Sequence, residues 1–320
     1  MQAEDAGYKD FPDYMRKGVA SVWALHAPPA VRDRFFHPAV IYRDARGIAQ
    51  GPQDVWQMGQ GDLSALPDRR VMVEDVIATG SERRGFAASC RVVVAGRHLR
   101  DGPLGPATGR MLRYRSMVDQ FAKAQRVSDA WQVVDTADIA RQAGLDVQRL
   151  AQARLEDAAQ DDPAYCPETD VPGPYTGRGN DISWGGAYGD LLGRVMSGDN
   201  SRAEQHYAAG VLQVSPGGAE AHGVRAAIGF WQSVRQAFPD ADFRIHHQMG
   251  QETPAMPPRA ALRWSLTGQH AGWGWFGAPT QARVHVAGIA QAEFGPDGLR
   301  REWVLFDAVA VWMQILAETG

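Results

Sequence analysis

Cysteine is scarce in this chain of 320 residues, in which Cys90 and Cys166 are the two examples. Their spacing matches no metal-binding motif and no apolar leader precedes them, so the sequence does not indicate a secreted disulfide scaffold. A run of about 18 apolar residues, which a membrane-spanning helix requires, is also missing. We therefore expect a cytoplasmic protein.

An excess of one charge is missing as well, since the formal net charge is -4 and no long run of one sign occurs. Such a chain offers no charged patch for the phosphates of nucleic acid or for an anionic membrane, so we expect neither partner. There is also no Gly-x-Ser-x-Gly motif and no Walker or dinucleotide-binding fingerprint. These absences disfavour covalent and nucleotide-dependent chemistry.

The sequence does contain an internal repeat. Trp131, Asp135 and Gln142 recur 172 positions later as Trp303, Asp307 and Gln314. The same offset of 172 relates further pairs without a gap: Gly51 and Gly223, Pro67 and Pro239, Asp68 and Asp240, Arg91 and Arg263, Gly96 and Gly268, His98 and His270, Gly102 and Gly274, Gly105 and Gly277, and Thr108 and Thr280. Such a series indicates duplication and fusion of one domain of about 150 residues.

The boundary between the copies lies in a segment rich in Pro, Gly and Asp. Residues 145–159 have a helical pattern, and the closely spaced Pro, Gly and Asp residues after them predict a linker. We therefore expect a first domain over residues 8–145, a helix and linker over 146–181, and a second domain over 182–318.

Each copy begins with a helical pattern and continues with strands. Helices are expected at Tyr14–His26, Tyr188–Met196 and Val224–Ala237. Alternating patterns predict strands at Val71–Ile77, Ala87–Val94, Met111–Phe121, Arg263–Thr267 and Val284–Phe294. This order is typical of an α+β domain in which helices cover one face of a curved antiparallel sheet and leave an apolar pocket.

The motifs of the second copy resemble those of a known family. A Gly-x-His turn at His270, a Gly-x-x-Thr turn ending at Thr280, Trp303-x-x-x-Asp307 and the late Gln314 follow one another, and Phe238-Pro239-Asp240 precedes them. This pattern resembles the SnoaL-like polyketide cyclases of the nuclear transport factor 2-like superfamily. The first copy matches more loosely, with Leu66 where the family often has phenylalanine.

The resemblance implies two tandem cone-shaped α+β barrels that form an intramolecular pseudo-dimer, with further homo-oligomers an open alternative. It implies a small-molecule substrate, no metal and no organic cofactor. Family members include aldol cyclases in which an Asp is the general acid/base, and the superfamily includes modules that only bind. We expect acid/base chemistry on a small apolar or aromatic carbonyl compound, by cyclisation, isomerisation or dehydration. The alternative is a non-catalytic binding module.

Asp135 and Asp307 are the first catalytic candidates. Each follows a tryptophan by four residues, so both side chains are expected on one side of a strand. A carboxylate against an indole in a dry cavity would have a raised pKa suited to proton transfer. A helical pattern follows each of them directly, so the alternative is that the two residues are helix N-caps.

His98 and His270 are further catalytic candidates, because each follows a strand in a Gly-x-His turn and could polarise a carbonyl group. A structural hydrogen bond across the hairpin is the alternative. Trp131 and Trp303 are candidates for stacking on a flat substrate, and core packing is their alternative.

Other candidates differ between the copies. The second copy offers an aromatic set, and the first a more polar set that could receive an anionic group. The aromatic set consists of Trp264, Trp273, Trp275 and Tyr207, and the polar set of His37, Tyr42, Arg113 and Tyr114. His246 and His247 are adjacent in a strand and face opposite sides, so we expect no metal site there.

Overall fold

The computed structural model describes residues 7–157 and 167–320 of the chain, apart from the side chain at position 62. The chain divides into two compact units, Met1–Gly177 and Arg178–Gly320. Within the described ranges, no helix has the length and apolar character needed to span a membrane. Cys166 and part of the predicted linker lie outside the described residues.

The first unit contains five helices and six strands in the part that the structure describes. The helices are α1 (Phe11–Val22), α2 (Pro29–Phe35), α3 (Pro52–Ser64), α4 (Thr136–Ala143) and α5 (Val147–Asp157). The strands are β1 (Phe36–Asp44), β2 (Gly47–Gln50), β3 (Arg70–Ser81), β4 (Gly85–Arg97), β5 (Met111–Lys123) and β6 (Arg126–Val134). A short 3-10 turn follows at Pro167–Thr169.

The second unit repeats this order through its sixth strand and then ends in one described helix in place of α4 and α5. Its helices are α6 (Ser183–Ser197), α7 (Asn200–Ala203), α8 (Val224–Ala237) and α9 (Ala308–Thr319), with a 3-10 turn at Glu204–His206. Its strands are β7 (Tyr207–Ser215), β8 (Ala219–His222), β9 (Asp242–Gln251), β10 (Arg259–Gln269), β11 (Arg283–Gly295) and β12 (Gly298–Phe306). The predicted helix Val224–Ala237 has the bounds of α8.

The two sheets have the same topology. The strand orders are β2-β1-β6-β5-β4-β3 and β8-β7-β12-β11-β10-β9. The expected α+β fold is confirmed, but the sheets are mixed, because β1 pairs with β6 and β7 with β12 in parallel. The other pairings of each sheet are antiparallel, as expected. The parallel pairing was not anticipated, because β1 and β2 lie between the helices in sequence and no local pattern identifies a partner so far along the chain.

The repeat offset changes by one residue in the first strand of each sheet. Gly51 and Gly223 lie 172 apart and hold matching positive φ angles of 83° and 85° at the starts of α3 and α8, a conformation that suits glycine. Strand β7 begins at Tyr207 and β1 at Phe36, an offset of 171 (207 − 36). The turn after β7 is therefore one residue longer than the turn after β1.

Residues after the 3-10 turn pack on the sheet of the first unit. Arg43 on β1 donates from Nε to the Asp170 carboxylate at 2.5 Å and from Nη2 to the Val171 carbonyl at 2.6 Å. The Tyr175 ring stacks on Phe121 with centroids 4.3 Å apart. This part of the predicted linker is therefore ordered against the first copy.

Candidate functional site

The first copy contains a cavity inside its cone. It encloses about 40 Å³ and lies between the sheet and the helices α1 and α3. That volume holds about three water molecules. Half of its lining residues are valine or leucine, and the polar or aromatic lining residues are Trp23, Tyr42, Arg46, Tyr114, Ser116 and Gln132. The cavity is therefore small and apolar, with a few converging polar groups.

Tyr42 is the polar centre of this cavity. Its hydroxyl donates to the Gln132 side-chain oxygen at 2.7 Å, which joins the parallel strands β1 and β6 inside the cone. Burial raises the pKa of Tyr42, and the charge of Asp44 raises it further. The phenol therefore stays protonated and acts as a hydrogen-bond donor at any physiological pH.

A carboxylate and a guanidinium lie together at the end of β1. Asp44 Oδ2 accepts from Arg46 Nε at 3.0 Å, and Asp44 Oδ1 accepts from the Arg46 backbone N–H at 2.8 Å. Asp44 is buried, and Arg46 lines the cavity. Cys90 on β4 is buried. Burial raises the pKa of its thiol, so Cys90 is unsuited to be a nucleophile.

The second copy fills the same interior with indoles. Trp231 corresponds to Gly59 and Trp264 to Val92 under the offset of 172, and both indoles are fully buried. Their rings meet edge to face, with centroids 5.5 Å apart. Gly288 stands where the first copy has Ser116, and a Cβ at Gly288 would overlap the Trp264 ring. The two copies therefore differ in how much space their cones leave.

A buried carboxyl group lies among these indoles. Glu302 accepts a hydrogen bond from the Tyr188 hydroxyl at 2.8 Å, from Gln213 Nε2 at 2.6 Å and from Trp231 Nε1 at 3.3 Å. Burial raises the pKa of the Tyr207 phenol, and the nearby Glu302 charge raises it further. Sequence reasoning missed Glu302. The signal that could have revealed it is the glutamate itself, which stands where the first copy has Ala130.

Burial and hydrogen bonding act in opposite directions on Glu302. Removal from water raises its pKa, and the donors Gln213, Tyr188 and Trp231 lower it without cancelling that effect. Within the described residues, no lysine, arginine or histidine forms an ion pair with Glu302. The pKa of this carboxyl is therefore above its ordinary value.

The structure places the predicted catalytic aspartates at helix N-termini. Asp135 Oδ1 accepts the Asp138 backbone N–H at 3.0 Å at the start of α4. Asp307 Oδ1 accepts the Ala310 backbone N–H at 2.9 Å at the start of α9. Both aspartates are therefore helix N-caps, which was the alternative to a catalytic role in the sequence analysis. Neither residue lines the cavity of the first copy.

His98 and His270 occupy equivalent positions and are both fully buried. Nδ1 of His98 lies 3.3 Å from Thr108 Oγ1, and Nδ1 of His270 lies 3.1 Å from Thr280 Oγ1. Burial lowers the pKa of His270. Each ring therefore bridges the turn between two strands, which is the structural alternative for these histidines.

Several predicted binding residues lie on the sheet face opposite the cone interior. Trp131 precedes the cavity-lining Gln132 on β6, so its side chain lies on the opposite face of the sheet. Its ring lies 4.5 Å from the Arg43 guanidinium. Trp303 alternates with the inward-facing Glu302 in the same way. Arg113 is exposed beside Glu74, at 3.5 Å. Of the predicted binding residues, the structure therefore brings Tyr42 and Tyr114 to the first interior and Trp264 and Tyr207 to the second.

The remaining candidates are dispersed. His37 is exposed and accepts the Ala39 backbone N–H at 3.1 Å. Trp273 is 70% exposed. His246 is exposed at a β-bulge, whereas its neighbour His247 is buried. In the described ranges, no group of three or more His, Cys, Asp or Glu side chains is arranged to hold a metal ion.

The family comparison agrees with the repeat. A family model described as SnoaL-like polyketide cyclase matches residues 14–143 and again residues 187–315. The chain belongs to the SnoaL-like polyketide cyclase family. Each of its two copies is one family domain, with the helices and the six-stranded mixed sheet described above.

Solved structures that resemble this tandem SnoaL-like protein each correspond to one copy. TsrD from Streptomyces laurentii is 18% identical, with 41% of this chain and 92% of that chain covered and a TM-score of 0.35. IdmH from Streptomyces antibioticus, described as a candidate polyketide cyclase, is 17% identical, with 42% and 97% covered and a TM-score of 0.35. A search of curated proteins found no match.

Proposed function

We propose that the protein is a cofactor-independent acid/base enzyme of the cyclase or isomerase type, and that the first copy handles the substrate. The observation that carries this proposal is the cavity of the first copy, which lies where the second copy holds Trp231 and Trp264. The substrate class is a small apolar or aromatic carbonyl compound, because the lining is apolar with a few hydrogen-bond donors.

The proposed chemistry begins with polarisation of the substrate carbonyl. The Tyr42 phenol, kept protonated by its raised pKa, would turn its single O–H from the Gln132 side-chain oxygen to the substrate carbonyl oxygen as negative charge develops there. Tyr114 and Ser116 supply further hydroxyl groups in the same lining. Such donors stabilise an enolate in a site from which water is excluded.

Asp44 is the proposed proton acceptor. It lies two residues after Tyr42 on β1, so the two side chains share a face of that strand. Its carboxylate is held by Arg46, which lines the cavity. A proton removed from the carbon next to the carbonyl group would pass to Asp44 and return to another carbon or leave with water.

A non-catalytic binding module is the second candidate. The specific observation in its favour is that the described side chains that line the first cavity include no carboxylate and no imidazole. In this case the same cavity holds the ligand, and Asp44 only fixes Arg46.

The test is a mass-spectrometric screen of small carbonyl metabolites incubated with the wild type and with cavity variants. Val92→Phe, or the more flexible Val92→Met, fills the first cavity. Trp264→Phe changes the equivalent position of the second copy and leaves the first cavity as it is. We expect consumption of a metabolite by the wild type and by Trp264→Phe, and its loss in Asp44→Asn and in the filled variants. A melting curve for each variant verifies folding.

Other outcomes contradict the proposal. Consumption that survives Val92→Phe but fails in Trp264→Phe would place the reaction in the second copy. Retention of a compound without turnover by the wild type, lost in Val92→Phe, would establish the binding module instead.

A further inference from the structure

A second cleft of the first copy lies away from the cone interior. Helix α1, helix α2 and the turn between β5 and β6 enclose about 380 Å³. The cleft has an aromatic part that consists of Tyr8, Tyr14 and Phe35. The Tyr14 hydroxyl donates to the Gln125 backbone carbonyl at 2.6 Å, which ties α1 to the turn. The cleft is therefore bounded by elements held in place by a direct hydrogen bond.

Two arginines line this cleft, Arg34 from α2 and Arg126 from the start of β6. Both line the same cleft as Tyr14. Burial raises the pKa of the Tyr14 phenol, and the positive charges of the two arginines act in the opposite direction. Among the residues that the structure describes, the lining of the cleft includes no carboxylate. Across residues 7–157 and 167–320, neither guanidinium forms an ion pair with a carboxylate. The lining that the structure describes therefore carries two guanidinium groups and no carboxylate.

The turn beside Arg126 has an unusual backbone. Ala124 and Gln125 have positive φ angles of 49° and 59°. Two successive residues of this kind form a type I′ turn, in which Asn-Gly is the preferred pair. A left-handed conformation costs such residues about 1 kcal/mol each, and strain of this kind concentrates at ligand sites. The turn ends directly before Arg126, the first residue of β6.

The second copy lacks both arginines. Arg34 corresponds to Gln205 with the offset of 171, and Arg126 corresponds to Gly298 with the offset of 172. The fold is the same in both copies, so it does not require these guanidinium groups. Their presence in the first copy is a feature of that copy alone.

We propose that this cleft binds a small aromatic anion, with Arg34 and Arg126 holding its carboxylate and the rings of Tyr8 and Phe35 contacting its apolar body. A guanidinium pair suits a carboxylate because it presents several donors in a planar arrangement. The neighbouring rings favour a planar partner. This site is separate from the cavity proposed for catalysis.

The test is calorimetric titration with benzoate, with the neutral benzamide and with inorganic phosphate. We expect benzoate to bind the wild type at least tenfold more tightly than benzamide, and to bind Arg34→Gln/Arg126→Gln at least tenfold more weakly. Arg70→Gln, an exposed arginine outside the cleft, is the matched control and should leave the affinity unchanged. The double variant should fold normally, as checked by its melting curve, because both side chains are exposed.

Several results would overturn the proposal. Undetectable benzoate binding, or equal affinities for benzoate and benzamide, would remove the anion site. Loss of benzoate binding in Val92→Phe with full binding in the double variant would assign benzoate to the cone cavity. If phosphate binds as tightly as benzoate and this binding is lost in the double arginine variant, the site recognises anions in general, and the proposed preference for an aromatic ligand is wrong.

Discussion

Trp264 and Gly288 are direct partners on neighbouring strands of the second sheet, and the Trp264 ring occupies the space that a side chain at Gly288 would need. The first copy has Val92 and Ser116 at these positions. The two interiors therefore differ by an exchange of volume, because an indole faces a glycine in the second copy where a valine faces a serine in the first. Packing of this kind is sensitive to a single methyl group, because protein interiors are close-packed.

Gly288→Ala should destabilise the second copy. The added methyl group forces the Trp264 indole out of place, and overpacking of this kind costs about 1–3 kcal/mol. Gly229→Ala is the matched control, since a Cβ at that position of α8 meets no atom within 4 Å. It should stabilise the helix by about 1 kcal/mol. Urea unfolding of both variants measures the two effects, and equal effects would contradict this account of the packing.

Asp307→Ala should cost about 1 kcal/mol of stability, because the variant loses the side-chain acceptor at the start of α9. Asp307→Asn keeps an acceptor in that place and should cost less. Thermal unfolding compares the two variants, and the metabolite screen is run on both. Loss of turnover in Asp307→Asn with unchanged stability would return this residue to the catalytic role that the sequence suggested.

Much of the fold could be predicted because the repeat keeps one register from Gly51 to Gln142. Helix α8 was placed correctly, since its apolar spacing and the Gly223 before it are local signals. The parallel pairing of β1 with β6 was missed, because Tyr42 pairs with Ala130 and no local pattern encodes so distant a partner.

The site was harder to predict than the fold. Asp135 and Asp307 were chosen by extending strand alternation from a tryptophan, but β6 ends at Val134 and β12 at Phe306, so the alternation stops before each aspartate. The cavity depends on Gly59 and Val92, which have no chemical signature. Only comparison with Trp231 and Trp264 in three dimensions reveals their importance.

Arg43→Met should be strongly destabilising. Arg43 is buried, lies 3.6 Å from the buried Asp129 carboxylate and also binds Asp170 and Val171. Removing one partner of a buried pair leaves an uncompensated charge, which costs about 3–5 kcal/mol. Arg244→Met is the matched control, because its pair with Asp242 is exposed and is worth less than about 1 kcal/mol. Urea unfolding measures the free energy of unfolding of both variants. An effect of Arg43→Met as small as that of Arg244→Met would contradict the stabilising role of the buried Arg43 contacts.

Glu302 should make the stability of the second copy depend on pH. Its pKa in the folded protein is raised, so the unfolded chain ionises this carboxyl at lower pH than the folded chain does. The stabilising contribution of the protonated group is complete below the unfolded pKa of about 4.3. It is lost as the pH rises through the folded pKa. We therefore expect the free energy of unfolding to decrease on this account between about pH 4 and neutrality.

Glu302→Gln removes the ionisable group and should remove this part of the pH dependence. The difference in unfolding free energy between the variant and the wild type should shift in favour of the variant as the pH rises. Glu220→Gln, at an exposed position, is the control and should follow the wild type at every pH. Urea unfolding from pH 4 to pH 8 gives the three curves. A constant difference between Glu302→Gln and the wild type would mean that Gln213, Tyr188 and Trp231 offset the burial of the carboxylate completely.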